Sequence, residues 1–122
     1  MANKRTLKKY LKTVAEELAG ETAFIMDFYE GIDLQKADAI IDDVYNLWVD
    51  KNKDVTVAFD KTLQVSFQGN AKEYRKARRA YYKAAYNTLI AEYNDGVAEI
   101  LKKMNALLSP EQRNLNKEIA NA

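Results

Sequence analysis

Basic and aromatic residues alternate between residues 72 and 86. The bases are Lys72, Arg75, Lys76, Arg78, Arg79 and Lys83, and the tyrosines are Tyr74, Tyr81, Tyr82 and Tyr86. Lysine and arginine neutralise phosphates, and tyrosine rings can stack on nucleic-acid bases. The pattern therefore predicts a nucleic-acid contact made by Lys72, Arg75, Lys76, Arg78 and Arg79. The bases near the N-terminus would extend this contact if the first helix lies alongside.

The charge distribution offers a second interpretation of the same stretch. Residues 1–12 hold five bases and no acids, residues 13–60 hold three bases and twelve acids, and residues 61–83 hold seven bases and one acid. Helices that follow each other in sequence pack antiparallel, so the acids Asp38, Asp42, Asp43 and Asp50 could neutralise the basic stretch within the fold. The total charge of +1 favours this intramolecular neutralisation over a dedicated nucleic-acid protein.

Histidine and cysteine are both absent. Serine and cysteine nucleophiles that depend on histidine, zinc sites built on cysteine and ordinary zinc hydrolase sites are therefore excluded. Carboxylates share helix faces at Asp38 and Asp42 and at Glu92, Asp95 and Glu99, but no nucleophile or glycine-rich phosphate loop accompanies them. We interpret these acids as solvated surface. The sequence predicts no catalytic residue, no cofactor and no metal site, and hence a protein that is not an enzyme.

The longest predicted helix runs from Asn70 to Leu108. Residues that are apolar or aromatic, with the exception of Arg78, recur along it in steps of three or four. The stripe consists of Tyr74, Arg78, Tyr81, Ala85, Leu89, Tyr93, Val97, Ile100, Met104 and Leu107. Asn70 is the predicted N-cap, with Glu73 placed to reach back to its N–H. Asn94-Asp95-Gly96 is a turn signal, but the stripe stays in phase across it and favours one helix of ~57 Å.

Three further helices are predicted. The first runs from about Lys4 to Glu30, and the second is capped by Asp33 and ends near Lys51 or Asn52. The last begins after Ser109, which forms a capping box with a glutamine three residues later.

The segment 54–68 alternates apolar and polar residues, which is typical of a β-hairpin. Its pairs would be Phe59 with Leu63, Val57 with Val65 and Val55 with Phe67. The same segment also has apolar residues spaced by four, as in a helix, and lacks a glycine at the turn. The pattern favours the hairpin without excluding the helix.

These elements predict a single mainly-α domain over residues 1–122. It would be a long-helix bundle of three main helices plus a short C-terminal helix, with a β-hairpin at about 54–68. No apolar run reaches the ~20 residues of a membrane span, and the opening residues continue into a charged amphipathic segment instead of an apolar one. We therefore expect a cytoplasmic protein.

Helix lengths suggest self-association. A second helix of ~28 Å cannot cover a helix of ~57 Å, so part of the long stripe must meet another element or another chain. The candidate interface residues are Phe24, Phe28, Tyr29, Leu89, Val97, Ile100 and Met104. The leading hypothesis is a non-enzymatic interaction or scaffold protein that forms a homodimer through helix faces. The alternative is a nucleic-acid-associated protein that uses the basic, tyrosine-rich helix face.

The opening Met1-Ala2-Asn3-Lys4-Arg5-Thr6-Leu7-Lys8-Lys9, the pair Tyr81-Tyr82 and the segment from Leu89 to Leu101 carry a resemblance. Together they resemble a family of small, uncharacterised helical proteins of Bacteroidetes bacteria. In those relatives the middle connection contains proline, whereas residues 54–68 contain none. The resemblance implies a helix-dominated fold and a cytoplasmic protein, and it implies no activity and no functional residue.

Overall fold

The computed structural model describes residues 3–59, 61 and 66–121. Within these ranges lie four long helices: α1 (Lys4–Phe28), α2 (Leu34–Asp54), α3 (Ala71–Ala106) and α4 (Pro110–Asn121). The predicted mainly-α fold is confirmed, and the helix ends fall within a few residues of their predicted positions. None of the described helices combines the length and the apolar character that crossing a membrane requires.

Polar side chains cap the four helices at Asn3, Asp33, Asn70 and Ser109. The predicted capping box at Ser109 is complete, since the Gln112 N–H donates to the Ser109 hydroxyl (3.2 Å) and the Ser109 N–H donates to the Gln112 side chain (2.9 Å). At Asn70 only half of the predicted box forms. The side chain accepts from the Glu73 N–H (3.2 Å), but the Asn70 N–H donates to the Phe67 carbonyl (2.9 Å).

Helix α3 is continuous through Asn94-Asp95-Gly96, as its in-phase stripe predicts. Gly96 faces α2 at very short range, because a Cβ atom built on it would lie 2.7 Å from Cδ1 of Leu47. The glycine therefore serves the close approach of two helices and does not make a turn.

Helices α2 and α3 are antiparallel. Three successive contacts join Asp43 to Lys103 (2.7 Å between Nζ and Oδ2), Leu47 to Gly96, and Lys51 to Glu92 (2.6 Å between Nζ and Oε2). The residue numbers of the α3 partners fall as those of the α2 residues rise. Helix α2 therefore packs against the second half of α3 and does not reach the basic first half.

Helix α1 runs parallel to α3. Two buried clusters show this: Leu7 and Leu11 pack with Tyr86, Leu89 and Tyr93, whereas Leu18 and Ile25 pack with Ile100, Met104 and Leu108. The partners, which lie on α3 or just after its end, thus rise in residue number along α1. Because of this direction, the N-terminal end of α1 lies beside the first half of α3.

The segment after α2 folds back over the first turns of α3. Phe59 and Phe67 pack with Tyr74 and Tyr81 in an aromatic cluster whose ring centroids are 5.4 to 6.3 Å apart. The part of α3 that α2 does not reach is therefore met by this connection and by the start of α1. Helix length by itself no longer requires a second chain.

The described residues of the segment 54–68 contain no strand, so the structure does not show the predicted hairpin there. Asp54 ends α2, Val55 has αR dihedrals (φ −65°, ψ −28°), and Phe67 lies in a helical turn, so the pair Val55–Phe67 does not form. The positive φ of Gly69 (80°) then turns the chain toward α3. Residues 60 and 62–65, which would complete the inner pairs, lie outside the described residues.

Candidate nucleic-acid interface

A groove of about 410 Å³ opens where the N-terminal end of α1 meets the first half of α3. We call it the basic groove. Its lining residues are Asn3, Lys4, Tyr74, Arg75, Arg78, Arg79, Tyr82 and Tyr86. Four cationic side chains and three tyrosines thus surround a concavity whose volume lies in the ~300–1,000 Å³ range of ordinary ligand pockets.

The groove lies on the same face of α3 that is buried in the protein core further along the helix. Arg75, Arg79, Tyr82, Tyr86 and Leu89 follow each other on α3 in steps of three or four, so they share one helix face. From Tyr86 onward this face is buried against α1 and α2. Before Tyr82 it passes the end of α1 and changes from apolar to basic. Arg75 and Arg79 therefore lie where the core-facing side of α3 becomes open to solvent.

Hydrogen bonds to the α2–α3 connection hold two of the three groove tyrosines. The Tyr82 hydroxyl accepts from the Phe59 N–H (3.3 Å), and the Tyr86 hydroxyl donates to the Val55 carbonyl (3.5 Å). Burial, assisted by the neighbouring Tyr82, raises the pKa of Tyr86, which keeps its phenol neutral. The guanidinium carbon of Arg78 lies 5.3 Å from the Tyr82 ring centroid, in a cation–π arrangement.

The groove cations keep their charge unpaired among the residues that the structure describes, because no carboxylate there lies within 4 Å of Lys4, Arg75, Arg78 or Arg79. The expected neutralisation by α2 is therefore not found in that part of the chain. The physical reason is register: α2 packs against the other half of α3, where Asp43 pairs with Lys103.

The predicted nucleic-acid residues divide into two groups. Arg75, Arg78 and Arg79 line the basic groove together, whereas Lys72 and Lys76 are exposed on α3 outside its lining. The sequence predicted that the N-terminal bases extend the patch if the first helix lies alongside, and of these bases Lys4 lines the groove. Asn3 was missed, since only the parallel packing of α1 reveals that this cap borders the groove.

The predicted interface residues also divide. Tyr29, Leu89, Ile100 and Met104 are at most 7% exposed, and Val97 packs half-buried against the same core. They are not surface for a partner, because they pack into the buried clusters that the helices of the same chain form with one another. In contrast, Phe24 and Phe28 are 39% and 51% exposed and stack on each other with centroids 5.0 Å apart.

Two of the carboxylates that share helix faces, Glu92 and Glu99, are engaged in ion pairs. Glu92 accepts from Lys51, and this hydrogen bond is the main cause that raises the pKa of Lys51. Glu99 pairs with Lys102 on the same helix (3.2 Å). Across residues 3–59, 61 and 66–121, no three acidic side chains gather as they would around a metal ion.

Comparisons of this chain with protein-family models, with curated proteins and with solved structures find no match. The resemblance to helical proteins of Bacteroidetes bacteria therefore stays a prediction.

Proposed function

We propose that this chain is a non-enzymatic binding protein that holds nucleic acid in the basic groove. The observation that carries this proposal is the convergence of Lys4, Arg75, Arg78 and Arg79 on one tyrosine-lined concavity. Within the described residues these four charges have no carboxylate partner within 4 Å. A polyanion would supply the missing counter-charge and release its condensed counterions on binding.

The end of α1 reinforces the positive potential of the groove. Asn3 and Lys4 belong to the cap and the first turn of this helix, where free backbone N–H groups and the helix dipole favour anions. The first turn of α1 contains no acidic residue that would cancel this effect. The helix end and the arginines of α3 thus act on a phosphate from two sides.

An anionic membrane is the competing polyanion. Lysine and arginine also bind lipid headgroups, but a membrane surface is flat and cannot enter a concavity between two helices. The tyrosines lie inside this concavity, where a nucleotide can reach them. We therefore favour nucleic acid, and we propose a cytoplasmic location because RNA is abundant there.

Binding of a labelled, mixed-sequence 20-nucleotide single strand at two salt concentrations tests the proposal. Four phosphate contacts give a slope of about −2.8 in log affinity against log salt. We expect binding at low salt that weakens with this slope, and no comparable binding to phosphatidylserine vesicles. The absence of oligonucleotide binding at low salt contradicts the proposal, as does binding to vesicles alone.

A charge-matched pair of variants locates the contact. Replacing Arg75 and Arg79 with glutamine should lower the slope by about 1.4, because two phosphate contacts disappear. The control replaces Lys102 and Lys117, two exposed lysines outside the groove, with glutamine. It removes the same net charge and should leave the slope unchanged. Equal loss in both variants would mean that binding reflects net charge and not the groove.

We also propose self-association through the exposed Phe24–Phe28 stack, which is what remains of the predicted dimer surface. Two stacked phenylalanine rings, 39% and 51% exposed, favour a partner that removes them from water. Sedimentation at two concentrations should show a dimer that Phe28→Ser weakens. A strict monomer at the higher concentration contradicts self-association and leaves the groove proposal untouched.

A further inference from the structure

We infer that the basic groove selects single-stranded over double-stranded nucleic acid. It would receive one unstacked base on the Tyr82–Arg78 pair, while Arg75 and Arg79 bind the flanking phosphates. This inference rests on the proposed nucleic-acid function and adds the form of the ligand.

Two of the three groove tyrosines, Tyr82 and Tyr86, have hydroxyls that are engaged by backbone groups outside the groove lining. The Tyr82 hydroxyl accepts from the Phe59 N–H and the Tyr86 hydroxyl donates to the Val55 carbonyl, and neither Phe59 nor Val55 lines the groove. Because these oxygens are engaged, the ring carbons are the part of each side chain that the inference assigns to the ligand. Ring surface adds little to the binding of a bare phosphate, whereas it stacks well on a base.

Arg78 adds a second planar group. Its guanidinium lies over the Tyr82 ring, and Tyr82 also contacts Tyr81 edge-on (5.5 Å between centroids) and Tyr86 (5.9 Å). The ring is therefore fixed by neighbours on several sides before any ligand arrives. Bases stack on aromatic rings and on arginine guanidinium planes alike, so the pair forms a preorganised platform.

The size of the groove separates the two forms of nucleic acid. A volume of about 410 Å³ between two helices suits a nucleotide-sized group. A duplex keeps its bases paired inside and presents its phosphates on a convex surface, so it can contact only the rim. An unpaired strand can turn one base into the groove at small energetic cost.

The arginine spacing suits a strand that runs along α3. Arg75 and Arg79 are four residues apart, which is ~6 Å along the helix axis, so each guanidinium can reach a different phosphate. Lys72 and Lys76 repeat this spacing on the exposed flank. Phosphates beyond the groove would therefore meet further positive charge in the same direction.

Three probes of equal length test the inference: a thymidine single strand, its duplex, and an abasic phosphodiester strand of the same charge. Stacking of one base is worth ~1–3 kcal/mol, so we expect the thymidine strand to bind about 5-fold to 160-fold more tightly than the abasic strand. It should also bind more tightly than the duplex at the same salt concentration. Equal binding of all three probes overturns the strand selection and leaves the proposed function standing, whereas no binding of any probe overturns both.

Variants at Tyr82 provide the second readout. Tyr82→Phe keeps the ring and should retain the preference for the thymidine strand. Tyr82→Leu should lose it while binding the abasic strand as the unaltered protein does. A preference that survives Tyr82→Leu overturns the stacking role. If Tyr82→Leu fails to fold, as judged by circular dichroism, the comparison of thymidine and abasic strands on the unaltered protein decides the inference.

Discussion

The hydroxyl of Tyr93 donates a 2.7 Å hydrogen bond to the backbone carbonyl of Leu11. Both residues are at most 1% exposed, and the bond joins the middle of α3 to the first half of α1. It helps to fix the parallel register of the two helices. Because of that register, Asn3 and Lys4 reach the arginines of α3 and close one side of the basic groove.

Tyr93→Phe should lower the free energy of unfolding by about 1 kcal/mol, the usual net value of one hydrogen bond. Urea denaturation measures the change. The matched control is Tyr10→Phe, whose hydroxyl bonds to Asn94 (3.0 Å) from a residue that is 40% exposed. Water can replace that bond, so the control should lose clearly less. An equal loss in both variants would contradict the special role of the Tyr93 bond.

Tyr93 should also make the protein less stable at high pH. Burial, assisted by Tyr10, raises the pKa of Tyr93 from 10.0 to about 12. The unfolded chain therefore releases this proton first, and the stabilisation, which is complete below pH 10, declines as pH rises toward 12. We expect a decline on the order of 2 kcal/mol from this group. Urea denaturation at pH 9 and at pH 11.5 should show that the unaltered protein loses more stability than Tyr93→Phe. An equal loss of stability in the two proteins would contradict the raised pKa of Tyr93.

The two helical glycines should respond in different ways to alanine. A Cβ atom on Gly20 meets nothing within 4 Å, so Gly20→Ala should stabilise α1 by ~0.5–1 kcal/mol. A Cβ atom on Gly96 would lie 2.7 Å from Cδ1 of Leu47, so the Leu47 side chain must move. The cost of this movement offsets the stabilisation that alanine otherwise brings to a helix. In thermal unfolding, Gly20→Ala should have a higher Tm than Gly96→Ala. The reverse order would mean that α2 and α3 approach less closely than described.

The ion pair between Lys51 and Glu92 should contribute measurably to stability. The Lys51 side chain is only 13% exposed, and its Nζ lies 2.6 Å from the Glu92 carboxylate. Glu92→Gln should cost about 1 kcal/mol, between the values for exposed and for buried pairs. The control is Glu99→Gln, which breaks a pair exposed on both sides, with Lys102, and should change the free energy of unfolding by close to zero. A larger loss for the control than for Glu92→Gln would contradict this ranking.

Interactions between residues close in sequence made several helix ends, and the continuity of α3, predictable from the sequence. Asp33, Asn70 and Ser109 cap helices because a short polar side chain can satisfy free N–H groups one turn ahead, whatever the tertiary fold. The periodic apolar stripe likewise revealed that α3 continues through Gly96. Both signals depend on residues three or four apart, so a single sequence contains them completely.

The basic groove depends on the packing of distant segments, which a single sequence does not reveal. Arg75 and Arg79 were expected to face the acids of α2, but the connection after Val55 is long enough for α3 to begin beyond the end of α2. Their surroundings are set by α1, whose parallel direction has no local signal. The same packing explains Leu89 and Met104, which have the composition of an interface but are enclosed by the chain's own helices.

The most direct test of the central claim is a two-dimensional NMR titration of the full chain with a short thymidine single strand. It locates binding without altering any residue. We expect the largest shifts at the backbone amides of Lys4, Arg79 and Tyr82 and at the arginine side chains of the groove, with little change in α2 and α4. Shifts centred on another part of the chain, or no shifts at low salt, would contradict the account of the basic groove as a nucleic-acid site.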